Sequence, residues 1–150
     1  MSRVFMYGPD ARQAKMFDRV GPTEVVGPAI ASGYSLAFNK PNMKVKAEGL
    51  PNLKPNTDGK AFGMVFELSR RQIEDLSGYF GGYEARDITV TLEIGTETRK
   101  ETVLAFVARR TRSDLKPTAA SIELTRKALE ENGAAGSFLE ELKTFEVIHV

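Results

Sequence analysis

The chain has 150 residues, which suits one domain spanning residues 1–150 with a substantial hydrophobic core. It contains no cysteine and one histidine, which excludes disulfides and argues against a zinc site or a histidine-based catalytic triad. Its 21 basic and 20 acidic side chains leave a formal charge of +1, so no nucleic-acid partner is expected.

No apolar run reaches the length of a membrane span, and the first residues lack the apolar core of a signal peptide. We therefore expect a cytoplasmic protein with no membrane partner. Chemistry in this chain has to come from carboxylates, tyrosines or backbone amides, and neither a metal nor another cofactor is expected.

The first segment predicts a strand, a tight turn and a helix. The strand covers residues 3–7, and Asp10 is a plausible N-cap because Gln13 follows three residues later. Gly21 ends the helix. The apolar face predicted for this helix consists of Ala14, Phe17 and Val20.

A strand, a glycine turn and a helix start form a natural anion cradle, because the first helical N–H groups lack internal partners. In this chain the cradle is Tyr7, Gly8, Pro9 and Asp10. Pro9 has no N–H to donate, and Asp10 brings a negative charge. Both residues are also ordinary at a helix start, so the sequence leaves open whether the loop holds an anionic ligand.

The next segments alternate between apolar and polar stretches. Residues 29–40 partly alternate, which is typical of a half-buried strand, and the apolar run at 61–68 predicts another. Between them, residues 41–60 hold several prolines, asparagines and glycines, which predicts a long, polar, mobile loop. Ser69 and Gln72 then form a capping box that opens a short helix.

The second half of the chain predicts two strands, two helices and a last strand. The strands cover residues 83–94 and 101–108, around a turn at Gly95. The helices present Ile122, Thr125 and Leu129, and then Leu139, Leu142 and Phe145, the latter behind a capping box of Ser137 and Glu140. Residues 145–150 predict the last strand. Irregular alternation of strands and helices indicates an α+β fold with a mixed, mostly antiparallel sheet.

The order of these signals resembles the gamma-glutamylcyclotransferase-like (AIG2-like) family. The family's Tyr-Gly-Ser-Asn turn is matched by Tyr7 to Asp10, and its Gly-x-Val-x-Glu-Leu-Ser by residues 63–69. The resemblance implies a barrel-like sheet with flanking helices. Further matches, spread over nearly the whole chain, are Met16, Arg19, Tyr34, Leu36, Phe38, Tyr83, Arg86, Val90, Pro117 and Gly133.

The chain departs from the family at its most diagnostic motif. Active members carry Leu-Asp-x-x-Glu-Gly after the short helix, and this Glu is the catalytic base. The corresponding residues 76–81 read Leu-Ser-Gly-Tyr-Phe-Gly, so Ser77 replaces the Asp and Phe80 replaces the Glu.

The resemblance implies an intramolecular aminolysis that forms 5-oxoproline and releases an amine. At neutral pH the attacking α-amine is mostly an ammonium ion, and a nearby carboxylate that takes its proton contributes roughly 10²–10⁴-fold. Phe80 cannot accept a proton. Weak residual activity is conceivable, since the reacting groups belong to one molecule, but efficient turnover is not expected.

Other acidic residues are candidates to replace the missing base. Glu84 and Asp87 are three residues apart on a strand, so only one of them can face a barrel mouth, and Glu84 is the named substitute candidate. The remaining acids, which lack a residue-level argument, are Glu48, Asp58, Glu74 and Asp75. Tyr79 and Tyr83 flank Phe80 and either line a site or pack the sheet.

Two further features favour bland interpretations. The cluster of Arg109, Arg110, Arg112 and Lys116 has no interleaved aromatic residue, so a solvated surface is favoured over a phosphate-binding patch. His149 has no partner at a spacing that suits a metal.

Three hypotheses follow. The first is a small-molecule-binding protein that lacks the usual base, with a ligand site formed by Tyr7, Gly8, Pro9, Asp10, Phe80 and Tyr83. Its pocket would be more apolar than the family's, so its ligand would differ from a γ-glutamyl zwitterion. The second is an active enzyme on a γ-glutamyl amide that uses a substitute acid such as Glu84. The third is a non-catalytic interaction domain with a vestigial pocket.

Overall fold

The computed structural model describes residues 1–148. Its elements follow a mixed order of strands and helices. In chain order they are β1 (Ser2–Tyr7), a 3-10 turn (Gly8–Ala11), α1 (Gln13–Val20), β2 (Glu24–Pro41), β3 (Gly49–Leu68), α2 (Arg70–Ser77), β4 (Tyr83–Ile94), β5 (Glu97–Ala108), α3 (Ala119–Glu131) and α4 (Gly136–Leu142).

The strands close into a barrel in the order β1-β3-β2-β4-β5. Every neighbouring pair is antiparallel except β1 and β5, which meet in parallel where Val4 lies opposite Leu104. Each strand has a neighbour on both sides over part of its length, whereas residues 49–60 of β3 pair with β2 alone. The predicted α+β fold with a mostly antiparallel, barrel-like sheet is confirmed.

Alternate residues of each strand point to opposite sides of the wall and build two separate cores. In β1, Phe5 and Tyr7 join a cluster drawn from strands alone, which places it inside the barrel. Val4 and Met6 join an outer cluster that also contains Met16 of α1 and residues of α2 and α3. The helices therefore cover one outer flank of the barrel.

The capping box of α2 forms as the sequence predicts. The Ser69 hydroxyl accepts from the Gln72 N–H at 3.1 Å, and the Gln72 side chain accepts from the Ser69 N–H at 2.9 Å. The Gln72 amide also donates to the Pro22 carbonyl at 2.8 Å. The cap thus fixes the start of α2 and ties it to the chain that follows α1.

The prediction of a loop at residues 41–60 is wrong for most of that range, which forms a strand. Residues 49–60 are the first part of β3, which pairs with β2 as far as Pro41 opposite Gly49. Leu53 is fully buried inside the barrel, and the prolines are tolerated because β1 pairs only with residues 63–68 of β3. Only residues 42–48 remain a connection between β2 and β3.

The start of α1 also differs from the prediction. Asp10 is not an N-cap but lies in the 3-10 turn, because α1 begins at Gln13 with Arg12 as its cap residue. The buried face of α1 is set by Met16, whereas Phe17 is 59% exposed. Ala14 is exposed as well, so of the predicted apolar face only Val20 packs against the outer core.

The C-terminal segment is simpler than predicted. The helix α4 begins after Ala135 with no side-chain cap, so the predicted capping box of Ser137 and Glu140 does not form. Residues 145–147 are not a strand, and Ile148 makes only an isolated bridge to Thr118. The Phe145 ring packs edge-on against Phe38 at 5.1 Å between centroids. His149 lies outside the described residues.

We predict that Asn52→Ala lowers the free energy of unfolding by about 1–3 kcal/mol, because it leaves a buried N–H without an acceptor. Asn52 is 2% exposed, accepts from the Ala108 N–H at 2.8 Å and donates to the Asn39 side chain at 2.9 Å. Chemical denaturation followed by circular dichroism measures the change.

The matched control is Asn56→Ala on the same strand. Asn56 also donates a side-chain hydrogen bond, at 2.8 Å to Ser35, but it is exposed. Its loss should change the free energy of unfolding by less than about 0.5 kcal/mol. Equal losses for the two variants would show that Asn52 does not join the β2–β3 ribbon to β5.

Candidate functional site

An open cleft of about 400 Å³ lies where the turn after β1, the turn after α2 and the start of α3 approach one another. We call it the aromatic cleft, because its wall includes the side chains of Tyr79, Phe80 and Tyr83. Its other lining residues come from four segments: the turn after β1, α1, the start of β3 with the residue before it, and the start of α3 with the residue before it. They are Pro9 and Asp10; Lys15 and Arg19; Glu48, Leu50 and Pro51; and Thr118, Ala120, Ser121 and Leu124.

The predicted site residues divide between this cleft and the barrel. Pro9, Asp10, Phe80 and Tyr83 line the aromatic cleft together, although they are far apart in sequence. Tyr7 is instead buried in the barrel core, where its hydroxyl donates to the Phe106 carbonyl. Burial raises the pKa of the Tyr7 hydroxyl well above its usual range, so it stays protonated.

Gly8 lies beside a different, narrow void of about 20 Å³. Its φ of +61° is a conformation that side chains rarely adopt, and an added Cβ would lie 3.3 Å from the Pro51 Cβ. The turn conformation and the close approach of Pro51 therefore account for glycine at this position.

Asp10 and Arg19 form an ion pair in the wall of the cleft. Asp10 Oδ1 lies 2.7 Å from Arg19 Nη1, and the two side chains are only 14% and 16% exposed. The two opposite charges therefore meet where little solvent reaches them. Burial raises the pKa of Asp10, while the positive charges of Arg19 and Lys15 oppose that rise.

The same guanidinium connects the ion pair to the aromatic wall. Arg19 Cζ lies 5.1 Å from the centroid of the Tyr79 ring and 5.2 Å from that of Phe80. Both distances are within the range of a cation–π contact. Arg19 is thereby held between a carboxylate and two ring faces, which fixes it at the edge of the cleft.

Phe80 is a well-packed aromatic ring in the wall of the cleft. It is 9% exposed, stacks on Phe106 at 4.7 Å with 6° between the planes, and meets Tyr83 edge-on at 5.3 Å. Gly78 ends α2, and Gly82 with φ +83° turns the chain into β4. These turns hold the Phe80 ring against the outer core.

Tyr83 is fixed by its hydroxyl and by neighbouring charges. The hydroxyl donates to the Pro51 carbonyl at 2.6 Å, and Lys40 Nζ lies 5.4 Å from the ring centroid. Burial, and then the negative charge of Asp10, raise the pKa of Tyr83. Tyr83 therefore remains a neutral hydroxyl that braces β4 against the start of β3.

Glu84, the substitute candidate, does not line the aromatic cleft. It follows Tyr83 on β4, so its side chain points to the opposite face of the strand, where Arg86 donates to its carboxylate. Three further candidate acids are exposed at the surface: Asp58, Glu74 and Asp75. Asp87 lies in a separate shallow cavity beside Arg3.

The cleft contains charged residues to which the sequence analysis gave no role. Glu48 is brought into the wall by a bridge between its backbone and Lys116, and the Asn42 amide donates to its carboxylate at 3.2 Å. Lys15 and Arg19 arrive from one side of α1. The spacing of four residues between Lys15 and Arg19 was a detectable signal of a shared helix face, whereas nothing local points to Glu48.

The basic cluster in the connector after β5 is engaged with its own surroundings. Arg112 pairs with Asp114 at 2.6 Å and Lys116 with Glu146 at 2.8 Å. Arg109 donates to the Tyr83 carbonyl at 3.4 Å. Arg109, Arg110 and Arg112 are exposed, which matches the favoured interpretation of a solvated surface.

The described part of the chain has neither a metal-binding cluster nor a membrane-spanning helix. Between residues 1 and 148, no group of three or more histidine, cysteine, aspartate or glutamate side chains is placed to hold a metal ion. No helix in the same range is long and apolar enough to cross a membrane.

Comparison with solved structures identifies the fold. A gamma-glutamyl cyclotransferase superposes with a TM-score of 0.86 at 16% identity, over 99% of this chain and 90% of that one. An AIG2-like protein from Mus musculus gives a TM-score of 0.59 at 16% identity, over 75% and 80% of the two chains. YkqA from Bacillus subtilis gives 0.76 at 18% identity, over 98% of this chain and 56% of that one.

The chain therefore has the gamma-glutamylcyclotransferase-like fold that the sequence resemblance implies. No protein-family model matches the sequence, and no curated protein matches it significantly. At these identities the likeness establishes the architecture, and the activity has to be argued from the residues of the cleft.

We predict that Asp10→Asn lowers the free energy of unfolding by about 1–3 kcal/mol. Removing one partner of a mostly buried ion pair strands the other charge, and the remaining solvent contact reduces the loss from that of a fully buried pair. Thermal or chemical denaturation at neutral pH measures the difference.

Glu131→Gln is the matched control. It removes the carboxylate from another ion pair with an arginine, Arg12, at 3.0 Å, but there the side chains are 27% and 45% exposed. Its cost should stay below about 1 kcal/mol. If both variants lose the same stability, the Asp10–Arg19 pair is no more than a surface contact.

Proposed function

We propose that this protein is a gamma-glutamylcyclotransferase-like small-molecule-binding protein that uses the aromatic cleft and turns over γ-glutamyl amides poorly. The observation that carries the proposal is Phe80. At the position where the resemblance expects a carboxylate, a ring stacked on Phe106 lines an otherwise open cleft. A phenyl ring can contact a ligand but cannot accept a proton from it.

The chemistry of the cleft suggests what it binds. Its aromatic side offers the faces and edges of Phe80 and Tyr83, which suit an apolar group. Its charged side carries the carboxylates of Asp10 and Glu48 and the cations Lys15 and Arg19. A small molecule with an amine or carboxylate at one end and an apolar group at the other would complement both sides.

The turn after β1 supports a ligand different from the usual γ-glutamyl group. Pro9 removes a donor from the backbone cradle, and the Asp10 carboxylate occupies the wall beside it, paired with Arg19. A ligand carboxylate would therefore meet Lys15 and the guanidinium of Arg19 rather than a row of free backbone amides.

The same geometry bears on the two other hypotheses, an active enzyme and an interaction domain with a vestigial pocket. An active enzyme would need a carboxylate in the cleft, and this favours Asp10 or Glu48 over Glu84, which faces the other side of β4. A vestigial pocket would be filled by Phe80 itself. The space of about 400 Å³ that remains beside the ring supports binding over that alternative.

We expect release of 5-oxoproline from γ-glutamyl dipeptides and glutathione at rates far below about 1 per second, the low end of ordinary turnover numbers. The physical reason is the missing proton acceptor at position 80. Chromatographic detection of 5-oxoproline over long incubations, corrected for the reaction in buffer, measures the rate.

Calorimetry with the same compounds tests binding separately from turnover. γ-Glutamyl-phenylalanine should bind more tightly than γ-glutamyl-glycine, because its ring can pack on Phe80 and Tyr83. Turnover at about 1 per second or faster would contradict the loss of activity. Failure of every compound to bind would contradict the choice of cleft.

We also expect Phe80→Glu to give a weak gain of 5-oxoproline release, and Phe80→Glu with Pro9→Ser and Asp10→Asn to give more. The single change places a carboxylate near Arg19, whose charge keeps the new carboxylate ionised. The triple change restores a cradle donor and leaves Arg19 with one carboxylate partner instead of two. The new carboxylate at position 80 is then the proton acceptor, so the loss of the Asp10 carboxylate does not remove that function. Loss of the stacked ring costs about 3–5 kcal/mol, so folding is checked by circular dichroism.

The control for this repair is Gly81→Glu. Gly81 follows Phe80, but it is exposed, does not line the cleft, and an added Cβ there meets nothing within 4 Å. A carboxylate at that position should leave both the fold and the rate unchanged. A folded triple variant with no gain over the parent would show that position 80 is not equivalent to the family's base.

A further inference from the structure

We propose that Asp10 is the proton acceptor of the aromatic cleft, held in place by Arg19. The assignment rests on the proposed function, because it requires that an amine-bearing ligand enters this cleft. It assigns a chemical role to a residue that the sequence places in the cradle turn, on the opposite side of the cleft from the position where the resemblance expects a base.

The position of Asp10 is the first argument. Its side chain lines the cleft, and its carboxylate contacts Arg19, whose guanidinium lies 5.2 Å from the centroid of the Phe80 ring. Asp10 and the ring at position 80 therefore contact the same guanidinium and line the same cleft. A ligand amine bound in the cleft would be within reach of the carboxylate.

The surroundings of Asp10 are the second argument. Its carboxylate is largely withdrawn from water, with a side-chain exposure of 14%. The positive charges of Arg19 and Lys15 lower the pKa of Asp10. The negative charge of Asp10 in turn raises the pKa of the Tyr7 and Tyr83 hydroxyls. Burial outweighs the two cations and raises the pKa of Asp10, which brings a carboxylate closer to the range useful for proton transfer near neutral pH.

Arg19 is the positioning residue of the pair. Packing against Tyr79 and Phe80 restricts the guanidinium, and the ion pair restricts the carboxylate in turn. The ion pair engages Oδ1, and the Asp10 side chain also lines the cleft, so the second carboxylate oxygen is not used by the pair. The Asp10 carboxylate thus remains available to an incoming ammonium group.

The proton balance of a γ-glutamyl amide fits one shuttling carboxylate. The α-ammonium gives a proton to Asp10, and its nitrogen then forms a bond to the γ-carbonyl carbon. The bond from that carbon to the leaving nitrogen breaks as the leaving nitrogen takes the proton from Asp10. A second proton follows the same route, so the α-amino nitrogen loses two protons, the leaving amine gains two, and Asp10 ends ionised.

The test measures 5-oxoproline release from γ-glutamyl-phenylalanine, with kcat and KM separated, for the wild type, Asp10→Asn, Glu48→Gln and Glu84→Gln. We expect Asp10→Asn to lower kcat by about tenfold or more with a smaller change in KM, since a positioned base contributes about 10²–10⁴-fold. Glu84→Gln removes a carboxylate from the other face of β4 and should leave both constants within about twofold of the wild type, a change too small to indicate proton transfer.

The pH profile provides a second readout that does not depend on Asp10→Asn folding. The wild-type rate should rise with pH through an apparent pKa above that of an ordinary aspartate. Arg19→Gln should move this apparent pKa further upward, because it removes a charge that opposes the rise. A merely structural role for Arg19 would change the amplitude of the profile but not its midpoint.

The outcomes separate this inference from the proposed function. Four results overturn the role of Asp10. They are a wild-type rate no higher than that in buffer, a loss of rate confined to Glu48→Gln, an effect of Asp10→Asn on KM alone, and a pH-profile midpoint that Arg19→Gln does not move. Calorimetric binding that persists in those cases leaves the proposed function standing. Absence of binding to the wild type overturns both, and fast turnover that depends on Asp10 overturns only the claim of poor activity.

Discussion

Pairing of β2 with β3 along almost their whole lengths is the constraint on which the rest of the structure depends. The ladder runs from Glu24 opposite Glu67 to Pro41 opposite Gly49, with irregularities that bend the ribbon around the barrel. One end of β3 pairs with β1, and the other delivers Leu50 and Pro51 to the aromatic cleft. The segment that looks most like a loop in the sequence therefore builds one wall of the site.

The cleft is organised by a single guanidinium. Arg19 joins a carboxylate from the turn after β1 to aromatic rings from the turn after α2, two segments that share no strand or helix. Where the resemblance expects an acid next to the ligand, the chain places Phe80 and keeps its acid on the other side of Arg19.

The sequence predicts those parts of the molecule that depend on local patterns. The capping box of Ser69 and Gln72 requires only residues within one helical turn. In β4, buried side chains recur at every second position from Ile88 to Leu92, which is the alternation expected of a strand. The resemblance was spread over short motifs in the right order, which is enough for the fold. It was also enough to bring Pro9, Asp10, Phe80 and Tyr83 together as candidates.

The remaining features depend on contacts between segments that are distant in sequence. Asn52 is buried because β5 supplies a partner, and Glu48 reaches the cleft because its backbone bridges to Lys116. Asp10 reads as a helix cap until the 3-10 turn moves it towards Arg19. No periodicity or local motif encodes these placements, so they are visible only in the folded chain.

The central claim is that the aromatic cleft is the ligand-binding site of this protein. The most direct measurement is a titration of ¹⁵N-labelled protein with γ-glutamyl-phenylalanine, followed by the shifts of assigned amide resonances. Saturable shifts concentrated at residues 9–19 and 79–83 are the result that this account predicts. Saturable shifts that instead cluster around Lys54 and Arg112, which line a separate cavity of about 390 Å³, or no shifts at millimolar ligand, would contradict it.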